Sequence, residues 1–119
     1  MAIKLFDSEL KVMDVLWREG PQAAKRIAEI LGESVGWSKT TTYTIIKRCI
    51  DKGAIERGEP NFTCRPLISI EEAREAETAE LINKMYHGSA DQLVASLLRG
   101  KILSKEEIER LKRAVRDME

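Results

Sequence analysis

The stretch GWSKTTTYTIIKRCIDKG, residues 36–53, constrains the fold most strongly. Ser38 is a suitable N-cap, and Gly53 is the residue type that ends helices in the left-handed conformation. Apolar residues between them form one stripe of a helical wheel: Ile45, Ile46, Cys49 and Ile50. The opposite face is polar, with Tyr43 at its border: Thr40, Thr41, Thr44, Lys47, Arg48 and Asp51. The pattern predicts an amphipathic helix from Ser38 to about Lys52.

The run of three threonines at residues 40–42 is unusual inside a helix. Threonine is a poor helix former because its branched Cβ restricts the side chain. Local conflicts of this kind tend to mark functional sites. The alternative is that the threonines belong to an ordinary solvated face.

The rest of the first half divides at glycine and proline. DSELKVMDVLWREG predicts a first helix with Asp7 as its N-cap, and PQAAKRIAEILGE predicts a second helix that begins at Pro21. After Gly53, the runs AIERG and FTCRPLI flank the turn signal GEPN and predict a β-hairpin. Pro66 is expected to end the second strand or to place it at an edge.

Three helices followed by a hairpin is the order of a winged helix-turn-helix, whose third helix enters the major groove of DNA. Short hydroxyl side chains and long cations on the polar face suit phosphates and base edges. The free N–H groups at the helix start, near Trp37 and Ser38, suit a phosphate. The candidate DNA-binding residues on the third helix and the hairpin are therefore Trp37, Ser38, Thr40, Thr41, Thr44, Lys47, Arg48, Arg57 and Arg65. For Trp37 a packing role stays open, and for Lys47 and Arg48 an ordinary surface charge.

Residues 70–119 predict three further helices, so the expected fold is mainly α with a small β-hairpin. We expect a winged-helix domain at 1–69 and an α-helical dimerisation domain at 70–119. Three helices of this length bury too small a core to be secure alone, and a second copy would complete it. The alternative is a monomer whose last helices fold back. The candidate interface residues are Leu81, Ile82, Met85, Leu93, Val94, Leu97, Leu98, Ile108, Leu111 and Val115.

The composition adds constraints on partners and cofactors. The formal net charge is zero, but residues 37–65 carry six Lys/Arg against three Asp/Glu. Cys49 and Cys64 lie in unlike contexts and, with the single histidine His87, supply no convincing metal site. We expect reduced cysteines, no metal and no cofactor. The sequence has no secretion signal and no apolar run of membrane-spanning length, so we expect a cytoplasmic protein without membrane insertion.

Four stretches resemble the penicillinase and methicillin-resistance repressors, a family of bacterial winged-helix regulators that includes BlaI, MecI and CopY. The stretches are SELKVMDVLW, GWSKTTTYTIIKRCIDKGAI, INKMYHGSADQLVASLL and LSKEEIERLK. The resemblance implies a homodimeric repressor that binds inverted-repeat operators, with control of β-lactam or other antibiotic resistance genes. It adds Tyr43 to the DNA-facing positions of the third helix.

The resemblance also bears on regulation. In the penicillinase branch, a membrane sensor protease pathway leads to cleavage of the repressor at an Asn-Phe bond in the dimerisation domain. The corresponding pair here is Ser96-Leu97. The chain lacks the C-terminal cysteine cluster of the copper branch, so copper sensing is not expected. Relatives commonly carry proline where this chain has Lys39, which implies a different operator sequence.

Two hypotheses of function remain at this point. The first is a sequence-specific DNA-binding transcriptional repressor. The second is a winged-helix protein–protein interaction module without direct DNA binding, which the zero net charge favours slightly. An enzyme is not expected, because the sequence has no nucleophile paired with a histidine, no glycine-rich phosphate loop and no catalytic carboxylate pair.

Overall fold

A computed structural model describes residues 3–119, and six helices and three strands lie within that range. In chain order they are α1 (Asp7–Glu19), β1 (Gln22–Ala23), α2 (Ala24–Ser34), α3 (Lys39–Asp51), β2 (Ile55–Gly58), β3 (Thr63–Pro66), α4 (Ile70–Met85), α5 (Ala90–Arg99) and α6 (Lys105–Asp117). Contacts divide the chain into one compact unit that ends at Glu77 and a second unit from Thr78 to Glu119. The predicted fold class, mainly α with a β-hairpin, is confirmed.

The sheet contains one strand that the sequence did not predict. Gln22 and Ala23 pair antiparallel with Cys64 and Thr63, so the strand order is β1-β3-β2. The second helix therefore begins at Ala24, and its predicted start at Pro21 is wrong. The predicted hairpin is confirmed, and β3 ends at Pro66 as expected. β3 is central because β1 covers its other edge.

The core of the first unit lies where α1, α2 and α3 pack together and against the hairpin. The apolar stripe of α3 is buried as predicted, with only Ile50 partly covered. Trp17 packs against this core, and its Nε1–H donates to the backbone oxygen of Ile68 at 3.0 Å. This bond attaches the end of α1 to the segment that leads into α4.

The ends of α1 and α3 follow capping chemistry. Ser38 is the N-cap of α3, as predicted, and Gly53, with φ +82°, follows its C-cap residue Lys52. The predicted cap of α1 is wrong by one residue, because Phe6 occupies the N-cap and Asp7 is already helical. Phe6 has no side-chain acceptor, so the cap depends on Glu9, whose carboxylate accepts the Phe6 backbone N–H at 2.8 Å.

Glu9, which is buried, and Lys52, which is partly exposed, form an ion pair that joins the start of α1 to the end of α3. The Glu9 side chain is 1% exposed, and its Oε1 accepts from Lys52 Nζ at 2.6 Å. The same ammonium donates to the backbone oxygen of Lys4 at 2.9 Å and lies 4.2 Å from the centre of the Phe6 ring. The other carboxylate oxygen, Oε2, is buried and accepts no hydrogen bond within residues 3–119. The ammonium is therefore enclosed by three groups, and it fixes where α3 ends relative to α1.

The surroundings of Glu9 favour its ionised form. Burial alone raises the pKa of this carboxyl, but the hydrogen bonds from Lys52 and the Phe6 backbone, with the charges of Lys52 and Arg48, hold the pKa below its usual value. A folded-state pKa below the unfolded one means that ionised Glu9 stabilises the fold above the unfolded value of about 4.3. That stabilisation is lost as the pH falls through the lower folded value.

The helices of the second unit, residues 78–119, leave large apolar side chains exposed. No side chain within this range is fully buried. The predicted capping box of α6 is confirmed, with Ser104 and Glu107 bonding each other's backbone N–H. The large apolar side chains that stay exposed in this unit are Leu81, Met85, Val94, Leu98, Ile102, Leu111, Val115 and Met118. Within residues 3–119, no helix is long and apolar enough to cross a membrane.

The Glu9–Lys52 ion pair generates a stability prediction. Lys52→Met leaves the Glu9 carboxylate buried without its cation and should lower the free energy of unfolding by about 3–5 kcal/mol. Glu9→Gln removes the charge, so its free energy of unfolding should be lower than that of wild type at neutral pH. The difference between the two free energies should narrow as the pH falls below about 4. Urea unfolding followed by tryptophan fluorescence, at neutral and acid pH, measures both effects.

The matched control is Glu33→Gln, which changes an exposed carboxylate on α2 and should leave the unfolding curve nearly unchanged at either pH. A Lys52→Met protein as stable as the control variant would show that the ion pair does not secure the fold.

Candidate nucleic-acid interface

The outer face of α3 carries most of the predicted site residues. Thr40, Thr41, Thr44, Lys47 and Arg48 are all exposed, and the buried stripe of the same helix holds them outward. Neither Lys47 nor Arg48 forms a salt bridge within residues 3–119. Five of the ten residues that the sequence predicts to bind DNA therefore lie on one exposed face of α3.

The three consecutive threonines do not act as one set. Thr42 is fully buried, and its hydroxyl donates to the backbone oxygen of Ser38 at 3.1 Å. This bond gives the buried Thr42 hydroxyl its hydrogen-bond partner within α3. The helical wheel already left Thr42 off the polar face, and of the three threonines only Thr40 and Thr41 are exposed.

The hydroxyl groups of the outer face are partly committed to the helix itself. Ser38 Oγ accepts the Thr41 backbone N–H at 3.1 Å and donates to Thr41 Oγ1 at 3.0 Å. Thr44 Oγ1 donates to the backbone oxygen of Thr40 at 2.9 Å. The Thr44 oxygen thus remains an acceptor, whereas the Thr40 hydroxyl forms no hydrogen bond within residues 3–119 and is a donor and an acceptor. Such a face can meet both phosphate oxygens and base-edge amino groups.

A stack of rings and cations connects α3 with the hairpin β2–β3 and its loop, residues 55–66, which we call the wing. The rings of Tyr43 and Phe62 meet edge to face, with centroids 5.7 Å apart and an interplanar angle of 89°. Arg57 Cζ lies 3.6 Å from the Phe62 centroid, and Lys39 Nζ lies 5.6 Å from the Tyr43 centroid. Cations over aromatic faces are attracted by the ring quadrupole. Tyr43, half-buried, is therefore held between the helix and the wing.

The two predicted wing arginines occupy different faces. Arg57 is the cross-strand partner of Cys64, whereas Arg65 is the partner of Glu56, and adjacent strand residues point to opposite sides. Both guanidinium groups are exposed and paired with carboxylates, Arg57 with Glu59 and Arg65 with Glu56. Exposed pairs of this kind contribute little stability, so a phosphate can replace the carboxylate at small cost.

Trp37 lies at the turn between α2 and α3. It is half-buried against the core, and its backbone N–H points to the Leu31 oxygen at 3.4 Å. The packing alternative for Trp37 thus has a structural basis, and its exposed part adjoins the start of α3. Ser38, next along the chain, is exposed and is already engaged as the cap.

The two cysteines add no chemistry to this surface. Both are free and buried, Cys49 on α3 and Cys64 on β3. Burial raises the pKa of the Cys49 thiol to about 12 and that of Cys64 to about 11, which keeps both protonated and unreactive. In the described part of the chain, no group of three His, Cys, Asp or Glu side chains could hold a metal ion.

Phe62 is the residue of this site that the sequence did not single out. It lies in the wing loop at φ +48°, and its backbone oxygen accepts the Ala24 N–H at 2.9 Å. An aromatic residue directly after Pro60 and Asn61 was the available signal. Its partners Tyr43 and Ala24 lie too far along the chain for a periodic pattern to reveal them.

The three helices, the wing and the open face of α3 define a winged helix-turn-helix of the DNA-binding class. The particular family follows from comparison with known proteins. The family model described as penicillinase repressor matches residues 5–117, and the chain belongs to this family. The resemblance seen in the sequence is thereby confirmed. The family is made up of transcriptional repressors, not enzymes.

Relatives match over most of their length. The penicillinase repressor of Bacillus licheniformis is 29% identical over 110 residues, which cover 91% of this chain and 86% of that protein. The methicillin resistance regulatory protein MecI of Staphylococcus aureus is 30% identical over 111 residues, covering 92% and 90%.

Solved structures match the fold of the N-terminal part. The solution structure of the DNA-binding domain of the repressor BlaI superposes with a TM-score of 0.55 at 27% identity, covering 60% of this chain and 90% of that one. The Bacillus licheniformis BlaI monomer in complex with the blaP half-operator gives a TM-score of 0.51 at 28% identity, covering 58% and 87%.

The cap of α3 generates a prediction for the site itself. Ser38→Ala removes the acceptor of the Thr41 backbone N–H and should lower the free energy of unfolding by about 1 kcal/mol. Ser34→Ala is the control, since its exposed hydroxyl only donates to the Ile30 oxygen within α2. Urea unfolding compares the two variants. Equal stability of Ser38→Ala and wild type would show that the cap does not hold the first turn of α3.

Proposed function

We propose that this protein is a sequence-specific transcriptional repressor that binds inverted-repeat DNA operators as a homodimer in the cytoplasm. The observation that carries the proposal is the open, cationic and hydroxyl-bearing face of α3 in a chain of the penicillinase repressor family. The similar BlaI structure holds a half-operator. The relatives' names support control of β-lactam or other antibiotic resistance genes.

The proposed contacts divide by chemistry. Thr40, Thr41 and Thr44 offer hydroxyls and methyls to base edges and phosphates, and Arg48 is long enough for a bidentate guanine contact. Lys47 supplies charge to the backbone. Tyr43 places a phenol beside them whose hydroxyl forms no hydrogen bond within residues 3–119. Arg57 and Arg65 exchange their carboxylate partners for phosphates of the neighbouring backbone.

Residues 70–119 are the proposed dimerisation domain, and the second unit, residues 78–119, forms most of it. Its apolar side chains are exposed along α4, α5 and α6, and clusters of this kind on small helical units mark protein interfaces. The proposed interface residues are partly or largely exposed throughout: Leu81, Ile82, Met85, Leu93, Val94, Leu97, Leu98, Ile108, Leu111 and Val115. A two-fold dimer would bring two copies of α3 to one palindromic site.

A membrane-bound sensor protease pathway is the proposed source of the inducing signal. The candidate bond, Ser96-Leu97, lies inside α5, and both side chains are half-buried. The Ser96 hydroxyl lies 3.2 Å from that of Tyr86 in the same unit. Cleavage there would cut the proposed interface, so the two half-sites would lose the gain that comes from binding together.

A protein–protein interaction module without DNA binding is the second candidate. The zero net charge and the acidic partners of Arg57 and Arg65 favour it. A duplex selected by the protein from a randomised library decides between the two candidates. The repressor should bind this duplex far more tightly than a scrambled one, with an affinity that falls steeply with salt. Equal, weak binding of both duplexes would support the interaction module.

Arg48 provides the sharpest test of whether the outer face of α3 contacts DNA bases. Arg48→Ala should weaken binding of the selected duplex by about 1–3 kcal/mol, because a bidentate contact to one base is lost. Fluorescence anisotropy at fixed salt measures the change. Arg110→Ala on α6, an exposed arginine of the second unit, is the control and should bind like wild type. If Arg48→Ala and Arg110→Ala bind equally well, α3 does not read the operator through this residue.

The proposed interface is tested at Leu98. Leu98→Glu places a charge on an exposed apolar position of α5 and should convert the dimer to a monomer, because the carboxylate would be buried in the interface. Sedimentation equilibrium reports the mass. Leu67→Glu is the matched control and should stay dimeric. Leu67 is 46% exposed and Leu98 is 48% exposed, but Leu67 lies in the first unit. An unchanged dimer in the Leu98→Glu protein would place the interface elsewhere.

A further inference from the structure

Phe62 lies where three parts of the first unit meet. Its ring contacts Tyr43 of α3 edge to face and carries the Arg57 guanidinium 3.6 Å from its centroid. Its backbone oxygen accepts the first N–H of α2, from Ala24, at 2.9 Å. One residue of the wing loop therefore bonds or packs against both helices of the turn motif.

The contacts of Phe62 do more than fill the core. The ring is only half-buried, and its two closest specific partners are a half-buried tyrosine and an exposed arginine, both on the proposed DNA-binding surface. A guanidinium stacked on a ring loses less freedom on binding a phosphate than one that moves freely. The Phe62 ring thus holds Arg57 in place before any DNA arrives.

The stack extends to the start of α3. The Tyr43 and Phe62 rings meet edge to face, and Lys39 Nζ lies 5.6 Å from the Tyr43 centroid. Lys39 and Arg57 are cations at the two ends of this row, one on the recognition helix and one on the wing. The spacing between the helix and the wing is accordingly set by two rings in contact rather than by a flexible loop.

From this arrangement we infer that Phe62 is a positioning residue for DNA recognition, which fixes the wing Arg57 relative to the α3 face. Phe62 touches no base or phosphate in this role. By fixing Arg57, Phe62 favours duplexes in which a phosphate beside the half-site lies within reach of the Arg57 guanidinium. The inference rests on the proposed DNA-binding function and extends it to a residue outside the recognition helix.

The test uses the full-length protein and a duplex selected by it from a randomised library. The variants are Phe62→Leu, which keeps apolar bulk without a ring, Phe62→Tyr, which restores a ring, and Arg57→Gln. Phe62→Leu should weaken binding about 3- to 10-fold. It should also reduce the slope of log affinity against log salt towards that of Arg57→Gln, by about one. Phe62→Tyr should bind like wild type.

The double variant separates positioning from general weakening. If Phe62 acts through Arg57, Phe62→Leu should cost little further affinity in the Arg57→Gln background. Fully additive losses, or an unchanged affinity and salt slope in Phe62→Leu, would overturn the inference. Thermal unfolding of each variant accompanies the titrations, since a loss of stability alone changes the melting temperature and not the salt slope.

A second readout needs no DNA. The Arg57 Nε–H resonance of the free protein should shift in Phe62→Leu, because the ring current of the stacked ring is removed while Glu59 still accepts this N–H, and it should return to its wild-type position in Phe62→Tyr. An unchanged Arg57 resonance overturns the positioning inference while leaving the repressor function intact. Failure of the wild-type protein to prefer its selected duplex over a scrambled one overturns the proposed function, and the inference with it.

Discussion

The ion pair of Glu9 and Lys52 is the interaction on which the placement of α3 depends. It connects residues 43 positions apart, from the first turn of α1 to the C-cap residue of α3. The carboxylate also accepts the Phe6 N–H at the start of α1. A single side chain therefore caps α1 and holds the C-terminal end of α3. Buried ion pairs add little net stability over apolar packing, but they penalise any arrangement in which the partners separate. In this protein the pair fixes the position of α3, the helix that carries the proposed DNA-binding residues.

The rest of the recognition surface is built outward from that anchor. The buried stripe of α3 sets which residues face solvent, and Thr42 lies on the buried side while Thr40 and Thr41 are exposed. The Tyr43–Phe62 contact then fixes the wing against the helix. A rigid surface of this kind suits DNA recognition, because groups held in place before binding lose little conformational freedom when they bind. The second unit differs from this surface, since its helices expose large apolar side chains.

Much of this could be predicted from the sequence, for local reasons. The Ser38 cap, the apolar stripe of α3, the hairpin around GEPN and the Ser104 capping box each depend on residues within a few positions of one another. The features that the sequence did not predict have separate causes. β1 is only two residues long and exists because Thr63 and Cys64 lie beside it. Short polar residues are the usual caps, which favours Asp7, but the Glu9 carboxylate accepts the Phe6 N–H and moves the cap to Phe6. Phe62 was not singled out because its contacts, Tyr43 and Ala24, lie far from it along the chain.

Site-directed DNA cleavage is the most direct measurement of the central claim that the outer face of α3 enters the major groove. Asp51→Cys adds an exposed thiol at the end of α3, and Asp117→Cys adds one on α6. A DNA-cleaving iron chelate should label these thiols selectively, because Cys49 and Cys64 are buried with raised pKa values. The account predicts that the Asp51→Cys conjugate cuts the selected duplex at defined positions in each half-site, whereas the Asp117→Cys conjugate does not. Diffuse cleavage from Asp51→Cys, equal to that of Asp117→Cys, would contradict it.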